Sequence, residues 1–324
     1  MDSSDLWAIG VDLGGTKIEV ARVDADGNLR QRTRRPTQAH RGPAAVKADL
    51  VAAIKALKNS ASPLPVGVGV GVAGQIDLLR GTVRFSPNLG WNDEPFQEDL
   101  QQALGLSVVV TNDVRAATWG EWLHGAGQGC ADLICLFVGT GIGGGVVSSG
   151  QILSGCSNSG GELGHITIDL NGPPCRCGNR GCLEALAGGW AIAQNAQELI
   201  AADPNAGASM LEIAGGKLEA VTAKIVAQAS QKGDPLALHI IDEATKALIA
   251  GAVSLVNAFN PCRLILGGGV IEGLPKLVDR IAQGVRQQAL KTSTESLQII
   301  LSRLHNDAGV VGAAALAMRS IQKT

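Results

Sequence analysis

Alternating and apolar runs predict pairs of strands joined by glycine-rich turns. The run at 7–23 is typical of a buried strand, a turn and a second strand, and the turn at 24–27 leads into a third strand. A strand, a glycine- and threonine-rich turn at 139–145 and another strand recur over 132–149. The chain therefore carries the same local arrangement twice.

Other periodicities predict helices and parallel strands around these hairpins. Residues 43–58 carry apolar side chains on one helical face. Valine and glycine alternate over 66–72, which predicts a strand whose glycine face admits another backbone or a ligand. A short apolar strand at 107–111 precedes a helix at 114–124.

The second half of the chain is predicted to be mostly helical. Helices are expected at 183–201, 219–231, 235–258, 275–291 and 308–321, with a strand at 264–266. Small residues suit the last helix to close packing. Together these elements predict an α/β protein.

Length, charge and aromatic content limit the kinds of protein that this chain can be. A length of 324 residues suggests about two domains. A net charge of −2 and an aromatic content of 3% disfavour nucleic-acid binding. The acidic start and the lack of a long apolar run favour neither a secretory signal nor a membrane span, so a cytoplasmic protein is expected.

The glycine-rich turns are candidate phosphate sites. Residues 139–144 match G-x-G-x-x-G, but a strand follows where a dinucleotide fold requires a helix. Backbone amides and the hydroxyls of Thr16 and Thr140 remain suited to phosphate, although each turn alone is also typical of an ordinary hairpin. Asp12 beside the first turn favours phosphate bound through Mg²⁺.

One short stretch has the spacing of a metal site. Its potential ligands follow the pattern H-x9-C-x-C-x4-C and are His165, Cys175, Cys177 and Cys182. Gly178 and Gly181 supply bends, and four nitrogen and sulfur ligands predict a closed structural Zn²⁺ site. The alternative is that the cysteines are small core side chains.

Candidate catalytic carboxylates lie at element boundaries. Asp113 follows Asn112 where a strand ends and a helix begins, so it is either a helix N-cap or a catalytic base. Glu162, His165 and Glu184 form a cluster suited to a polyhydroxyl ligand if the metal folds the loop, and are otherwise solvated acids and a structural histidine.

A run of arginines at 30–35 has two interpretations. It could bind nucleic acid, but on an alternating strand it is more often a solvated face.

Taken together, these motifs resemble the ROK family (repressors, open reading frames and sugar kinases), and within it the glucokinases. The matching stretches are Asp12-Leu-Gly-Gly-Thr-Lys17, Pro87-Asn-Leu-Gly-Trp91, Asn112-Asp113, Gly139-Thr-Gly-Ile-Gly-Gly-Gly145, Gly161-Glu-Leu-Gly-His165 and Cys175-x-Cys-Gly-x-x-Gly-Cys-x-Glu184.

The resemblance implies the actin-like, ribonuclease-H-like sugar kinase fold, an α/β fold with a ligand cleft between two lobes. The expected lobes are 1–118 plus 306–324, with the last helix returning to the first lobe, and 119–305. It implies ATP-dependent phosphorylation of a hexose at its 6-hydroxyl, first of all glucose, as in glycolysis. A homo-oligomer, dimer or tetramer, is also expected.

The resemblance also implies a role for each matching residue. Asp113 would be the general base and contact the sugar. The other sugar ligands would be Gly74, Asn88, Asn112, Glu162, His165 and Glu184. ATP and Mg²⁺ would be held by Asp12, Gly14, Gly15, Thr16, Lys17, Gly139, Thr140, Gly141, Gly267, Gly268 and Gly269. His165 and the three cysteines would hold Zn²⁺.

Two positions depart from the family pattern, and several alternatives stay open. Ala73 stands where many members have proline, and Arg115 where asparagine is frequent, so both can alter sugar choice. Mannose, fructose or N-acetylmannosamine could be the acceptor, and polyphosphate the donor. A sugar-responsive repressor is disfavoured because the first strand begins near Trp7, which leaves no room for a helix-turn-helix. A zinc-stabilised sugar sensor without catalysis is disfavoured by Asp12 and Asp113.

Overall fold

The computed structural model describes residues 6–59 and 63–321. The strands within these residues are β1 Trp7–Leu13, β2 Lys17–Asp24, β3 Leu29–Pro36, β4 Val68–Val72, β5 Gln75–Asp77, β6 Thr82–Ser86, β7 Trp91–Glu94, β8 Val108–Asn112, β9 Leu133–Val138, β10 Ile142–Ser148, β11 Gln151–Ile152, β12 Arg263–Gly267 and β13 Gln298–Leu301.

The helices of the described residues surround these strands. They are α1 Pro43–Asn59, α2 Phe96–Leu104, α3 Asp113–His124, α4 Leu183–Ala187, α5 Gly189–Ala202, α6 Ala208–Ile213, α7 Ala223–Gln231, α8 Pro235–Phe259, α9 Gly269–Gly273, α10 Lys276–Gln288, α11 Lys291–Thr294 and α12 Ala308–Ile321. Within these residues, none of the helices combines the length and the apolar character that crossing a bilayer requires.

The chain divides into two compact units. The first comprises residues 1–130, 152–160 and 302–324, and the second 131–151 and 161–301. The expected boundary at 118 falls inside α3, which is continuous over Asp113–His124. The first unit therefore keeps the whole of this helix.

The two units repeat one strand order. The first contains a sheet β3-β2-β1-β4-β8 and the second a sheet β11-β10-β9-β12-β13. In each sheet an antiparallel hairpin, β1–β2 or β9–β10, continues into parallel strands. The predicted duplication of strand, turn and strand is thus confirmed. The first unit also contains a small antiparallel sheet, β5-β6-β7.

The last helix packs against the sheet of the first unit. The glycine face of β4 makes this possible, because a Cβ on Gly69 would overlap the carbonyl oxygen of Ala313 in α12. The valines of β4 lie in the core on the other side with Leu50 and Ile54 of α1. The predicted close approach at this strand is therefore that of a helix backbone.

Several predicted boundaries differ from the structure, and tertiary contacts explain two of the differences. β10 begins at Ile142, so the later glycines of the turn belong to the strand. There Gly144 packs against Leu163, where a side chain would collide. The predicted helix at 183–201 is divided because Gly188 is extended, with ψ 153°.

Candidate functional site

In the first unit, the candidate base and the candidate phosphate-site aspartate lie at one edge of the sheet. Strands β1, β4 and β8 are parallel, and their register aligns Asp12 with Gly71 and Val72 with Asn112. Asp12 and Asn112 therefore lie at the carboxyl ends of parallel strands, where α/β folds bind ligands.

Asn112, rather than Asp113, caps α3. Its Oδ1 accepts a hydrogen bond from the backbone N–H of Arg115 at 3.0 Å, and its Nδ2 donates to the carbonyl oxygen of Gly74 at 3.1 Å. Asp113 is the first residue of the helix. The structure thus rules out the N-cap interpretation of Asp113 and brings the predicted sugar residues Gly74 and Asn112 together.

The first glycine turn is held by its own hairpin and by Thr37, the residue that follows β3. The N–H of Gly14 donates to the carbonyl oxygen of Lys17 at 3.0 Å. The hydroxyl of Thr37 donates to the carbonyl oxygen of Gly14 at 2.6 Å. A Cβ on Gly15 would lie 2.7 Å from the carbonyl oxygen of Asn88. The predicted phosphate turn therefore contacts a predicted sugar residue.

Charged side chains lie beside this turn. Lys17 Nζ is 3.5 Å from Asp12 Oδ2 and 3.3 Å from Glu19 Oε2, and Arg34 Nε donates to the same Glu19 oxygen at 2.7 Å. Burial raises the pKa of Asp12, and the charge of Lys17 opposes this only in part. An added cation would restore its charge, so this carboxylate fits the Mg²⁺ that accompanies a nucleotide.

The arginine-rich strand β3 is a solvated face with internal partners. The guanidinium nitrogens of Arg32 lie 3.3 Å from a carboxylate oxygen of Glu19 and 3.0 Å from one of Asp307. A guanidinium nitrogen of Arg30 lies 2.8 Å from a carboxylate oxygen of Asp24. These ion pairs favour the solvated-face interpretation over a nucleic-acid patch.

In the second unit, the start of α5 holds the second glycine turn. The N–H groups of Gly189 and Trp190 donate to the carbonyl oxygens of Gly139 and Thr140 at 3.0 and 2.9 Å. The extended backbone of Gly188 precedes these two donors. The break in the predicted helix thus places a helix start against the turn.

The carboxylate of Glu184 holds this turn in place. Its Oε2 accepts a hydrogen bond from the N–H of Ile142 at 2.7 Å, and its Oε1 accepts one from Trp190 Nε1 at 3.2 Å. A Cβ on Gly141 would overlap the same carboxylate. The residue predicted to bind sugar therefore also positions the predicted phosphate turn.

A cavity of about 820 Å³ opens beside the second turn. Its lining comprises Gly139, Thr140, Gly189, Trp190, Ala193, Thr222, Ala223, Lys224, Ala227, Gln228, Gln231, Gly269, Val270 and Gly273. Gly267 is the last residue of β12 and Gly268 is the N-cap of α9. These two glycines therefore connect the strand to Gly269, which lines the cavity. The volume lies within the range of small-molecule sites.

The predicted metal ligands converge. One ligand atom from each of His165, Cys175, Cys177 and Cys182 lies within 4.8 Å of the others. Cys175 Sγ is 3.7 Å from His165 Nδ1, and Cys177 Sγ is 3.7 Å from Cys182 Sγ. Tetrahedral zinc with Zn–S bonds of about 2.3 Å places two sulfurs about 3.8 Å apart, so the cluster fits this ion.

The backbone of the metal loop, residues 165–182, explains the fit. Gly178 and Gly181 have φ of 94° and 66°, a region that favours glycine. Burial raises the pKa of the Cys182 thiol to about 12, so it is neutral at pH 7 unless a bound cation displaces its proton. Glu162 is exposed and directly precedes a 3-10 helix ending at His165, where side chains three residues apart share one side.

Sequence reasoning missed two structural arginines. The guanidinium of buried Arg115 donates to the carbonyl oxygens of Asn158 and Gly160 at 3.1 and 3.0 Å, and so holds the segment that leads to Glu162. Arg176, within the metal loop, lies over the ring of Trp190 at 4.4 Å. For Arg115, the departure from the family's frequent asparagine was the one sequence signal of a special role. For Arg176 the sequence offered no such signal.

Comparison with known proteins agrees with this geometry. The family model of the ROK family matches residues 8–320. A glucokinase of Halalkalibacterium halodurans is 36% identical over 314 residues, which cover 95% of this chain and 94% of that protein.

Two solved structures share the fold. A ROK family glucokinase from Streptomyces griseus, solved with glucose and AMPPNP, is 34% identical with a TM-score of 0.84, over 97% of this chain and 99% of that one. A ROK hexokinase from Thermus thermophilus is also 34% identical, with a TM-score of 0.85 and coverage of 98% and 100%. The two α/β units thus have the actin-like sugar kinase fold that the sequence predicted. The chain belongs to the ROK family.

Proposed function

We propose that the protein is a glucokinase that transfers the terminal phosphoryl group of ATP to the 6-hydroxyl of glucose. The observation that carries the proposal is the placement of Asp12 and Asp113 at the carboxyl edge of the first sheet, beside a glycine turn. Support comes from the Streptomyces griseus relative, which was solved with glucose and AMPPNP.

Asp113 is the proposed general base. Its carboxylate takes the proton of the 6-hydroxyl as that oxygen bonds to the γ-phosphorus and the bond to the ADP oxygen breaks. Capping by Asn112 fixes the start of α3 and with it the backbone of Asp113. The fixed backbone thus positions the carboxylate of Asp113 for proton transfer.

The sugar ligands are assigned residue by residue. From the first unit they are Gly74, Asn88, Asn112 and Asp113, and from the second Glu162, His165 and Glu184. Carboxylates and amides suit a polyhydroxyl ligand because they accept and donate several hydrogen bonds. His165 presents Nδ1 to Cys175, which leaves its Nε2 for a hydroxyl.

The nucleotide is assigned to both glycine turns and to the cavity. Gly14, Gly15, Thr16 and Lys17 contact phosphates from the first unit, and Gly139, Thr140, Gly141 and Gly267–Gly269 serve the nucleotide from the second. Asp12 would hold Mg²⁺, which neutralises phosphate charge when bound.

We assign Zn²⁺ to His165, Cys175, Cys177 and Cys182. With all four positions taken by protein ligands, the ion would stabilise the loop and leave no open coordination position. The expected homo-oligomer and cytoplasmic location stay predictions. Light scattering of the purified protein and fractionation of cells test them.

A donor and acceptor panel tests the proposed function. ADP release is measured with ATP for glucose, mannose, fructose and N-acetylmannosamine, and sugar phosphate formation with polyphosphate. The expected result is the highest kcat/KM with glucose and ATP. A higher kcat/KM for another sugar or for polyphosphate would replace the substrate assignment, and no transfer to any sugar would refute the kinase.

A further inference from the structure

Trp190 belongs to two sites at once. It lines the cavity beside the second glycine turn, together with Thr140 and Gly269. It also packs against a buried cluster that contains two of the candidate metal ligands, Cys175 and Cys182. One indole ring therefore contacts both the metal loop and the cavity.

The contact with the metal loop includes a charged group. The guanidinium carbon of Arg176 lies 4.4 Å from the centroid of the Trp190 ring, within the range of a cation–π interaction. Arg176 stands between the ligands Cys175 and Cys177 in sequence. Its backbone position is therefore fixed on both sides by residues that would hold the ion.

The contact with the turn is equally specific. Trp190 Nε1 donates to Glu184 Oε1, and Glu184 Oε2 accepts from the N–H of Ile142, directly after the turn. The backbone N–H of Trp190 donates to the carbonyl oxygen of Thr140 at 2.9 Å. A displacement of the indole would therefore disturb the turn through both its side chain and its main chain.

We propose that Trp190 and Arg176 are positioning residues that link the metal loop to the nucleotide cavity, so that an ordered loop is required for full nucleotide affinity. This inference rests on the proposed function, which places ATP in that cavity. The ring is held between the Arg176 guanidinium and the Glu184 carboxylate, and both partners belong to segments that adjoin the ligand cysteines. Loss of the ion would free Arg176 and so loosen the cavity wall.

The first experiment compares AMPPNP binding, with Mg²⁺ present, in four full-length proteins by calorimetry. Arg176→Ala should weaken AMPPNP about 3- to 10-fold, which corresponds to the loss of one cation–π contact, and Arg176→Lys should restore part of it. Arg286→Ala removes a positive charge from the exposed side of α10 and serves as the matched control, with affinity unchanged. Zinc content should stay at the wild-type value in all four.

The second experiment uses tryptophan emission. Trp190 is the one tryptophan in residues 131–151 and 161–301, so the difference between the wild type and Trp190→Phe isolates its signal. Removing the metal ion with a chelator should change this difference signal and weaken AMPPNP after Mg²⁺ is restored, and adding Zn²⁺ should reverse both effects.

The outcomes separate the two proposals. Wild-type affinity for AMPPNP in zinc-loaded Arg176→Ala, or a Trp190 signal that chelation leaves unchanged, would overturn the link. If the zinc-loaded wild type binds no AMPPNP, the proposed function fails, and the chelation-dependent emission still decides whether the metal loop acts on Trp190.

Discussion

The two glycine turns differ in what supports them. Charged groups surround the first, where Lys17 lies near Asp12 and Glu19. The second is supported by a hydrogen-bonded carboxylate, Glu184, and by the start of α5. Similar sequences, Gly-Gly-Thr and Gly-Thr-Gly, thus reach similar turns through unrelated neighbours.

The comparison also shows that the glycines of each turn serve different purposes. Gly15 and Gly141 pack against Asn88 and Glu184, two proposed sugar ligands, where a Cβ would collide. Among the residues that the structure describes, and apart from the neighbours in sequence, no heavy atom lies within 3.4 Å of where a Cβ would stand on Gly14 or Gly139. One glycine per turn is therefore required by the fold, and the other leaves space that a phosphate can use.

The largest expected effect is on kcat and concerns Asp113, which lies outside both turns. Asp113→Asn should lower kcat about 10²- to 10⁴-fold with glucose affinity kept, because the amide cannot accept the hydroxyl proton. Steady-state ADP release and glucose calorimetry measure the two quantities. A kcat near that of the wild type would remove Asp113 from the mechanism.

In the first turn, Gly15→Ala should be harmful to folding. Its methyl group would meet the backbone of Asn88, so we expect a loss of about 1–3 kcal/mol of unfolding free energy and weaker glucose binding. Gly14→Ala is the matched control, with stability within about 0.5 kcal/mol of wild type and weaker AMPPNP binding. Denaturant unfolding and calorimetry distinguish them, and equal stability losses would contradict the division of roles.

In the second turn, Gly141→Ala should have a smaller effect on stability. The methyl group would displace the carboxylate of Glu184, a side chain that can rotate at the cost of its bonds to Ile142 and Trp190. We expect a loss of about 1 kcal/mol. Gly139→Ala should keep the stability and lose AMPPNP affinity. If it is Gly139→Ala that unfolds earlier, the assignment is reversed.

The smallest effect is a pH dependence confined to the first turn. Burial by itself would raise the pKa of Glu19, but the hydrogen bond from Arg34 and the charges of Lys17 and Arg34 outweigh it and lower the pKa below its usual 4.5. Since the folded-state pKa is the lower one, this stabilisation is complete above pH 4.5 and is lost as the pH falls through the folded value.

Glu19→Gln should therefore be less stable than wild type at pH 7, with the difference shrinking as the pH falls below 4.5. Thermal unfolding of both proteins across that range measures it. A difference in stability that stays constant with pH would show that the Glu19 charge has no such role.

Local patterns in the sequence predicted much of this arrangement. Alternation located the paired strands, and ligand spacing located the cluster of His165 and three cysteines that could hold a metal ion. Asp113 was placed at a strand end, although the sequence could not decide whether it is a helix N-cap or a catalytic base, because the adjacent Asn112, which caps the helix, is equally suited to that position.

Contacts between distant residues could not be predicted in this way. The extended backbone of Gly188, the bonds from Arg115 to Asn158 and Gly160, and the stacking of Arg176 on Trp190 depend on partners outside any local window. Periodicity reports which face of an element is buried and carries no information on which distant side chain meets it.

The most direct test of the account is phosphorus NMR of the reaction of the purified protein with glucose and MgATP. The account predicts a phosphate monoester at the 6-position of glucose, formed in step with ADP. An ester at another position, or ADP formed with free phosphate and no ester, would contradict it.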